Sequence, residues 1–283
     1  MPVTVIDAHV HLWDLAARPQ PWTAQFPVLR RSFLLPELES VLDGHGMDAA
    51  VVVQAGDTTG ETLDLLALAA TTPRLAGVVG WVDPGGPDVP GSLAALRAAP
   101  GGGKLVAIRH QLQVEADPRY LARPSVQNGL SAVGEAGLAF DVVISPGQLP
   151  LATETAAARP GVRFILDHAG KSPIASGDLR TWRADVARMA ELPNVAAKVS
   201  GLVTEADWAN WTPADLAPVI GHVLACFGAE RTMAGSDWPV CLLAADYASV
   251  YATLDRALSQ LNHAERTALL GGSAARWYQA GQR

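Results

Sequence analysis

The sequence is poor in cysteine, in basic charge and in long apolar runs. Two cysteines, Cys226 and Cys241, stand in no paired or metal-binding spacing. A disulfide framework is therefore excluded, and a reducing, cytoplasmic setting is the simpler expectation. Lys and Arg total 21 against 28 Asp and Glu, a net charge of −7 with a pI near 5.4. That balance excludes a nucleic acid or an anionic membrane as partner. No apolar run approaches the roughly 20 residues of a membrane span, and no basic start followed by an apolar stretch reads as a secretory signal. No Gly-x-Gly-x-x-Gly follows the first strand, which argues against a dinucleotide-binding sheet. No Gly-x-Ser-x-Gly is present either, so a serine nucleophile elbow is absent. The partner left by these exclusions is a small-molecule substrate; a homo-oligomer is compatible with all of them.

What is present is apolar and regular. Of the 283 residues, 49% are hydrophobic and 17% charged, ample for one large core. Short β-branched runs recur at Val3–Ile6, Ala49–Gln54, Ala76–Val82, Leu105–Arg109, Ala139–Ile144, Val162–Leu166, Val195–Val199 and Thr232–Gly235. Helical patterns lie between them, among them Leu63–Ala70, Leu93–Ala98, Val126–Glu135, Leu179–Leu192 and Pro213–Phe227. The last has clear end signals: Thr212 as N-cap, Pro213 in the first turn, Asp215 at the third position and Gly228 as stop. Asn262 with Glu265 reads as a capping box that opens a C-terminal helix. Eight apolar strands alternating with helices predict a parallel sheet closed as a (β/α)8 barrel, a single domain over residues 1–283.

Barrel enzymes build their sites at the C-terminal ends of the strands. Ionisable residues crowd those ends here. His9 and His11 leave the first strand with one residue between them, so an extended chain points both imidazoles the same way. Further round stand Gln54, Trp81, Asp83, Arg109, His110, Asp141, Asp167, His168, Lys198 and Asp237. Asp237, at the rim of the last strand, can accept a proton from water while facing the two histidines. Arg109 reads either as an ion-pair partner of Asp141 or Asp83, or as a guanidinium for substrate hydroxyls or a carboxylate. His110 adjoins Arg109, so one of the two points away from the pore. Lys198 reads first as an ion-pair residue.

These residues sit within longer motifs. They are Asp7-Ala8-His9-Val10-His11, Gly77-Val78-Val79-Gly80-Trp81-Val82-Asp83, Ile108-Arg109-His110-Gln111, Leu166-Asp167-His168, Lys198-Val199-Ser200-Gly201-Leu202 and Gly235-Ser236-Asp237-Trp238-Pro239. In that order, and over nearly the whole chain, the sequence resembles the amidohydrolase superfamily. Within it the likeness is to the lactonase branch of fuconolactonase-like and 2-pyrone-4,6-dicarboxylate lactonase-like enzymes. The resemblance implies a hydrolase that opens a lactone ring, with His168 either a donor to the carbonyl oxygen or a metal ligand. It also leaves two states for the centre, since the branch contains members with one divalent ion and members with none. His9, His11, His168 and Asp237 could hold a single Zn²⁺ with an open position, or polarise the carbonyl themselves. Metal-dependent members of the superfamily take a further Lys or His ligand from strand four or five; here strand five ends without a histidine, and Asp141 is expected near its beginning.

Six tryptophans, Trp13, Trp22, Trp81, Trp208, Trp211 and Trp238, fall in or beside the strand-end loops. Core packing accounts for one or two of them; the remainder are expected to wall a pocket that stacks on a sugar ring. The expected substrate-binding set is Arg109, His110, Gln54, Trp22, Trp81, Trp211 and Trp238. The expected reaction is hydrolysis of an aldonolactone such as that of L-fuconic, L-rhamnonic or L-galactonic acid. A metal-dependent decarboxylase on the same barrel and a non-catalytic sugar-binding barrel are the alternatives.

Overall fold

In the computed structural model, which describes residues 4–279, eight parallel strands pair in chain order. They are β1 Ile6–Val10, β2 Ala49–Val53, β3 Leu75–Gly80, β4 Leu105–Gln111, β5 Ala139–Val143, β6 Arg163–Leu166, β7 Val195–Val199 and β8 Thr232–Ala234. Each expected run overlaps one of them, but β1 shares only Ile6 with the run Val3–Ile6, β3 starts one residue early at Leu75 and β4 runs on to Gln111. Val3, the first residue of the first run, lies outside the described residues. Helices cover the outer face, from α1 Leu35–Gly44 through α2 Thr59–Thr71, α3 Val89–Ala98 and α4 Pro124–Glu135 to α5 Leu149–Ala157. The series continues with α6 Arg180–Ala190, α7 Pro213–Phe227, α8 Tyr247–Ala257, α9 His263–Thr267 and α10 Ser273–Tyr278.

Helix α7 has the bounds its caps predict, with the Asp215 carboxylate accepting from the Thr212 amide at 2.7 Å. The capping box at Asn262 and Glu265 also forms, but α9 gives way after one turn to a π-turn before α10. Helices α2 and α3 begin four residues earlier than their apolar periodicity. Thr58 and Asp88 cap them, and their first turns, residues 59–62 and 89–92, carry between them a single aliphatic side chain, Val89, too little for a periodic signal.

Strand residues divide by parity, as a pleat requires. Ala50, Val52, Ile108, Phe140, Val142 and Leu166 face the helices, while Ala49, Val51, Val53, Ala107, Ala139 and Ile165 fill the barrel. Each fully buried aliphatic chain contributes about 1.5–3 kcal/mol over its exposed state. The same inward rows continue upward as Arg109, Asp141, Asp167 and Lys198, so the barrel is aliphatic below and ionic above. Trp277, Tyr278 and Ala274 of α10 join the lower, aliphatic cluster and close that end.

The sheet closes between β8 and β1 through the segment just after β8. The Asp237 amide donates to the His9 carbonyl at 2.9 Å, and the His11 amide to the Trp238 carbonyl at 2.7 Å. Among the described residues no helix is long and apolar enough to cross a membrane.

Candidate active site

The seam is also where the ionisable groups meet. The register between β1 and β2 shifts between Asp7 and Val10. That irregularity changes the phase of the strand. Ile6 and Ala8 belong to the barrel interior and Val10 to the outer layer, yet both His9 and His11 turn inward. Asp7 does not. Its carboxylate accepts from the amides of His9 and Ser236, each at 3.0 Å, and from the Tyr247 hydroxyl of α8 at 2.9 Å. Asp7 thus ties the first strand end to the last, and burial raises its carboxyl above the ordinary value.

His9 Nε2 lies 3.2 Å from His11 Nε2, and Asp237 Oδ1 lies 3.2 Å from His11 Nε2 and 3.6 Å from His9 Nε2. Donor atoms of His9, His168 and Asp237 all fall within 4.8 Å of one another. The four residues expected to form the centre are therefore together. Burial by itself would raise the Asp237 carboxyl. His168, His11 and His9 outweigh it and hold Asp237 well below the usual carboxylate range. Burial lowers the pKa of His168 below the ordinary imidazole value, with Asp237 opposing. It does the same to His9, reinforced by Lys198.

Local backbone geometry sets this arrangement. His168 and Asp237 both adopt left-handed conformations, with φ of 53° and 61°, which aim the side chains across the pore. Gly201, at φ 61°, lies between them. A Cβ there would stand 2.5 Å from His168 Nδ1 and 2.9 Å from Asp237 Oδ2. Ser200 Oγ lies in hydrogen-bond contact with His168 Nδ1 at 3.0 Å.

The donors fit a divalent ion. Ligands 2.0–2.1 Å from a tetrahedral Zn²⁺ are separated by about 3.3 Å, close to the three separations above. His11 Nδ1 is 2.8 Å from the Val53 carbonyl, so it carries the ring proton and leaves the Nε2 lone pair facing the site, as a second shell does for a metal ligand. His9 Nδ1 has two competing neighbours, Lys198 Nζ at 3.1 Å and Asp167 Oδ1 at 3.5 Å. Accepting from the lysine places the proton on Nε2, toward Asp237; donating to Asp167 leaves Nε2 free for a metal.

Lys198 is an ion-pair residue, fully buried, with Nζ 2.7 Å from Asp141 Oδ2 and 2.9 Å from Asp167 Oδ1. The Tyr278 hydroxyl donates to the same Asp141 oxygen. Burial pushes Asp141 up to about 6 against the pull of Lys198. Asp141 sits at the middle of β5 rather than its beginning. Arg109 pairs with neither Asp141 nor Asp83. Its Nη1 is 3.4 Å from Asp167 and from His9 Nε2, and its Nη2 donates to the backbone and side-chain oxygens of Gln54. Gln54 therefore holds Arg109, and is not among the pocket-lining residues.

A cavity of about 140 Å³ opens onto this centre. Its lining includes His11, His168, Asp237, Arg109 and Trp22, together with Gln111, Gln113, Lys171 and Thr204, which the sequence reading did not single out. The expected wall of tryptophans is not there. Trp22 alone of the six lines the cavity. The others are committed elsewhere: Trp81 donates to His110 Nδ1 at 3.2 Å, Trp211 to the Ala244 carbonyl and Trp13 to the Arg31 carbonyl. Trp238 packs edge-on against Phe33, and Trp208 lies near Phe26, partly exposed. His110 is outside the cavity too. It stacks on Tyr120 and pairs with Glu115 at 2.6 Å, a structural duty.

A family model described as amidohydrolase matches residues 6–280. The chain belongs to that family. Among amidohydrolase relatives, an L-fucono-1,5-lactonase of Burkholderia multivorans is 40% identical over 285 residues, covering 96% of this chain and 95% of the relative. One from Burkholderia ambifaria is 36% identical over 279 residues, covering 97% and 95%. A crystal structure of a Burkholderia multivorans amidohydrolase with bound zinc superposes with a TM-score of 0.92. It is 38% identical and covers 98% of this chain and 99% of its own.

Proposed function

We propose that this amidohydrolase hydrolyses the ring ester of a sugar-acid lactone, of the L-fucono-, L-rhamnono- or L-galactonolactone kind. The observation that carries the reading is an ionised Asp237, walled by three imidazoles, at the head of a small polar cavity. At about 140 Å³ the cavity falls below the roughly 300–1,000 Å³ of drug-sized sites and suits a single ring. Relatives sharing 40% and 36% of the sequence over nearly full length are named L-fucono-1,5-lactonases, which supports the same substrate class.

Asp237 takes a proton from the attacking water as the water oxygen bonds to the lactone carbonyl carbon. The carbonyl π electrons move onto oxygen, and His168 and the Arg109 guanidinium, which line the same cavity, meet that charge. The C–O ring bond then breaks, and Asp237 returns the proton to the departing ring oxygen. A hydroxy acid results, which ionises and releases one proton. His9, His11, His168 and Asp237 are the residues that would hold a divalent ion of the Zn²⁺ type; when bound, it polarises the carbonyl and lowers the pKa of water. Asp237 is a weak base because its carboxyl sits so low, so help in activating water matters to the rate. A sugar-binding barrel has no need of a buried, ionised carboxylate among imidazoles. A pH-indicator assay across a lactone library tests the proposal. L-Fuconolactone should far outrun γ-butyrolactone, and equal efficiency on the two, or inertness toward all lactones, would overturn it.

A further inference from the structure

Gln113 follows β4 in a short turn, Leu112–Val114, anchored by the buried Leu112. Its side chain lines the cavity, and its Oε1 is buried without a hydrogen-bond partner. An unmet buried acceptor costs about 1–3 kcal/mol, so one beside a catalytic centre calls for a ligand that donates to it. The rest of the lining is of mixed sense. Thr204 Oγ1 donates to the Gly201 carbonyl at 2.7 Å and keeps its lone pairs. The Lys171 ammonium pairs with Glu205 and retains further N–H groups. Arg109 Nε is likewise buried and unpartnered. Hydroxyls both give and accept, and so can answer such a lining. A carboxylate only accepts, so it could meet the N–H groups of Lys171 and Arg109 but would leave Gln113 Oε1 unanswered.

Resting on the lactonase reading above, we infer that Gln113 is a specificity-determining residue that accepts a hydrogen bond from a ring hydroxyl of the substrate. It selects hydroxylated lactones over bare and over carboxylate-bearing ones. Sites built to bond a hydroxyl reject analogues lacking it by large factors, and Gln113 supplies one share of that discrimination.

The test compares the full-length parent with Gln113→Leu and Gln113→Glu on L-fuconolactone, on δ-valerolactone, which has no hydroxyls, and on 2-pyrone-4,6-dicarboxylate. Gln113→Leu should lose about 10–100-fold in kcat/KM on the sugar lactone and stay within about twofold on δ-valerolactone. Gln113→Glu, which keeps an acceptor oxygen in place, should recover most of the loss. A loss of the same size on both lactones would mark Gln113 as a structural residue and overturn the inference, as would no loss on either. Those outcomes leave the lactonase reading standing. A parent enzyme that opens the dicarboxylate in preference to the sugar lactone, or opens none of the three, overturns both.

Discussion

The Asp237 amide donates to the His9 carbonyl oxygen at 2.9 Å, so the proposed base and a proposed metal ligand are joined by backbone across the barrel seam. Ordinarily a barrel is finished by its strands, and its site is decorated onto loops. Here β8 ends at Ala234, and closure falls to Asp237 and Trp238 against His9 and His11. The spacing of the site side chains is then as rigid as the sheet.

Asp237→Asn should fold normally, because Asn tolerates the left-handed backbone that Asp237 occupies. Loss of general-base catalysis alone should lower kcat by about 10²–10⁴-fold. Steady-state rates on L-fuconolactone, beside an unchanged circular dichroism melt, provide the measurement. A variant within tenfold of the parent would remove Asp237 from the mechanism.

Zn²⁺ added to chelator-stripped protein should raise its melting temperature, with a stabilisation of about 2.7 kcal/mol when free metal reaches a hundred times Kd. His11→Ala and His168→Ala should each abolish most of that shift. Calorimetry with and without metal decides the matter; no shift in the parent up to millimolar Zn²⁺ would show that the imidazoles act unaided.

Gly201→Ala should inactivate by displacing His168 and Asp237, since its Cβ would stand inside both contacts. The proper control is Gly177→Ala, which has φ 71° and open space around the new methyl. Both substitutions should cost about 1–2 kcal/mol from the left-handed backbone. Only the first should lose activity. Urea melts and turnover measured on the pair separate strain from collision.

Stability of the metal-free protein should decline in two stages on acidification. His9 and His168 are both held below 6.5 in the fold. Below about pH 6.5 the unfolded chain takes up protons that the folded one refuses, and stability falls. Asp237 and Asp167 are held below 3.8 in the fold, so their contribution is present above that value and fades only under more acid conditions. Asp141, pushed up to about 6, takes up a proton in the fold and offsets part of that fall, so melts between pH 8 and 4 should drop first near neutrality, and His168→Gln should blunt that first drop. A parent whose melting point is flat from pH 7.5 to 5 would contradict it.

Much of the strand order was legible because a parallel barrel buries both faces of each strand and leaves continuous apolar runs. The residues of the centre were legible for a related reason: an ionisable group at the end of such a run has no packing purpose. Tryptophan was misread. An indole N–H is satisfied by carbonyls far away in sequence, such as Ala244 for Trp211, 33 residues on, and no local pattern announces that. Gln113 and Lys171 were missed because loop polar residues look alike until the fold turns one toward a cavity. The inward turn of His9 together with His11 was expected from simple alternation. It is in fact achieved by an irregular register that alternation does not reveal.

Tyr278 belongs to the short helix that stops the aliphatic end of the barrel, yet its hydroxyl reaches Asp141, and through Asp141 and Lys198 the contact continues to His9. The barrel therefore has a back door that passes influence but no substrate. Engineering usually approaches such enzymes from the mouth, where every change risks the fit of the ring. From the rear, a change such as Tyr278→Phe would leave the mouth untouched and still alter the field in which His9 chooses its proton. Catalytic temperament and substrate choice could then be adjusted with separate controls.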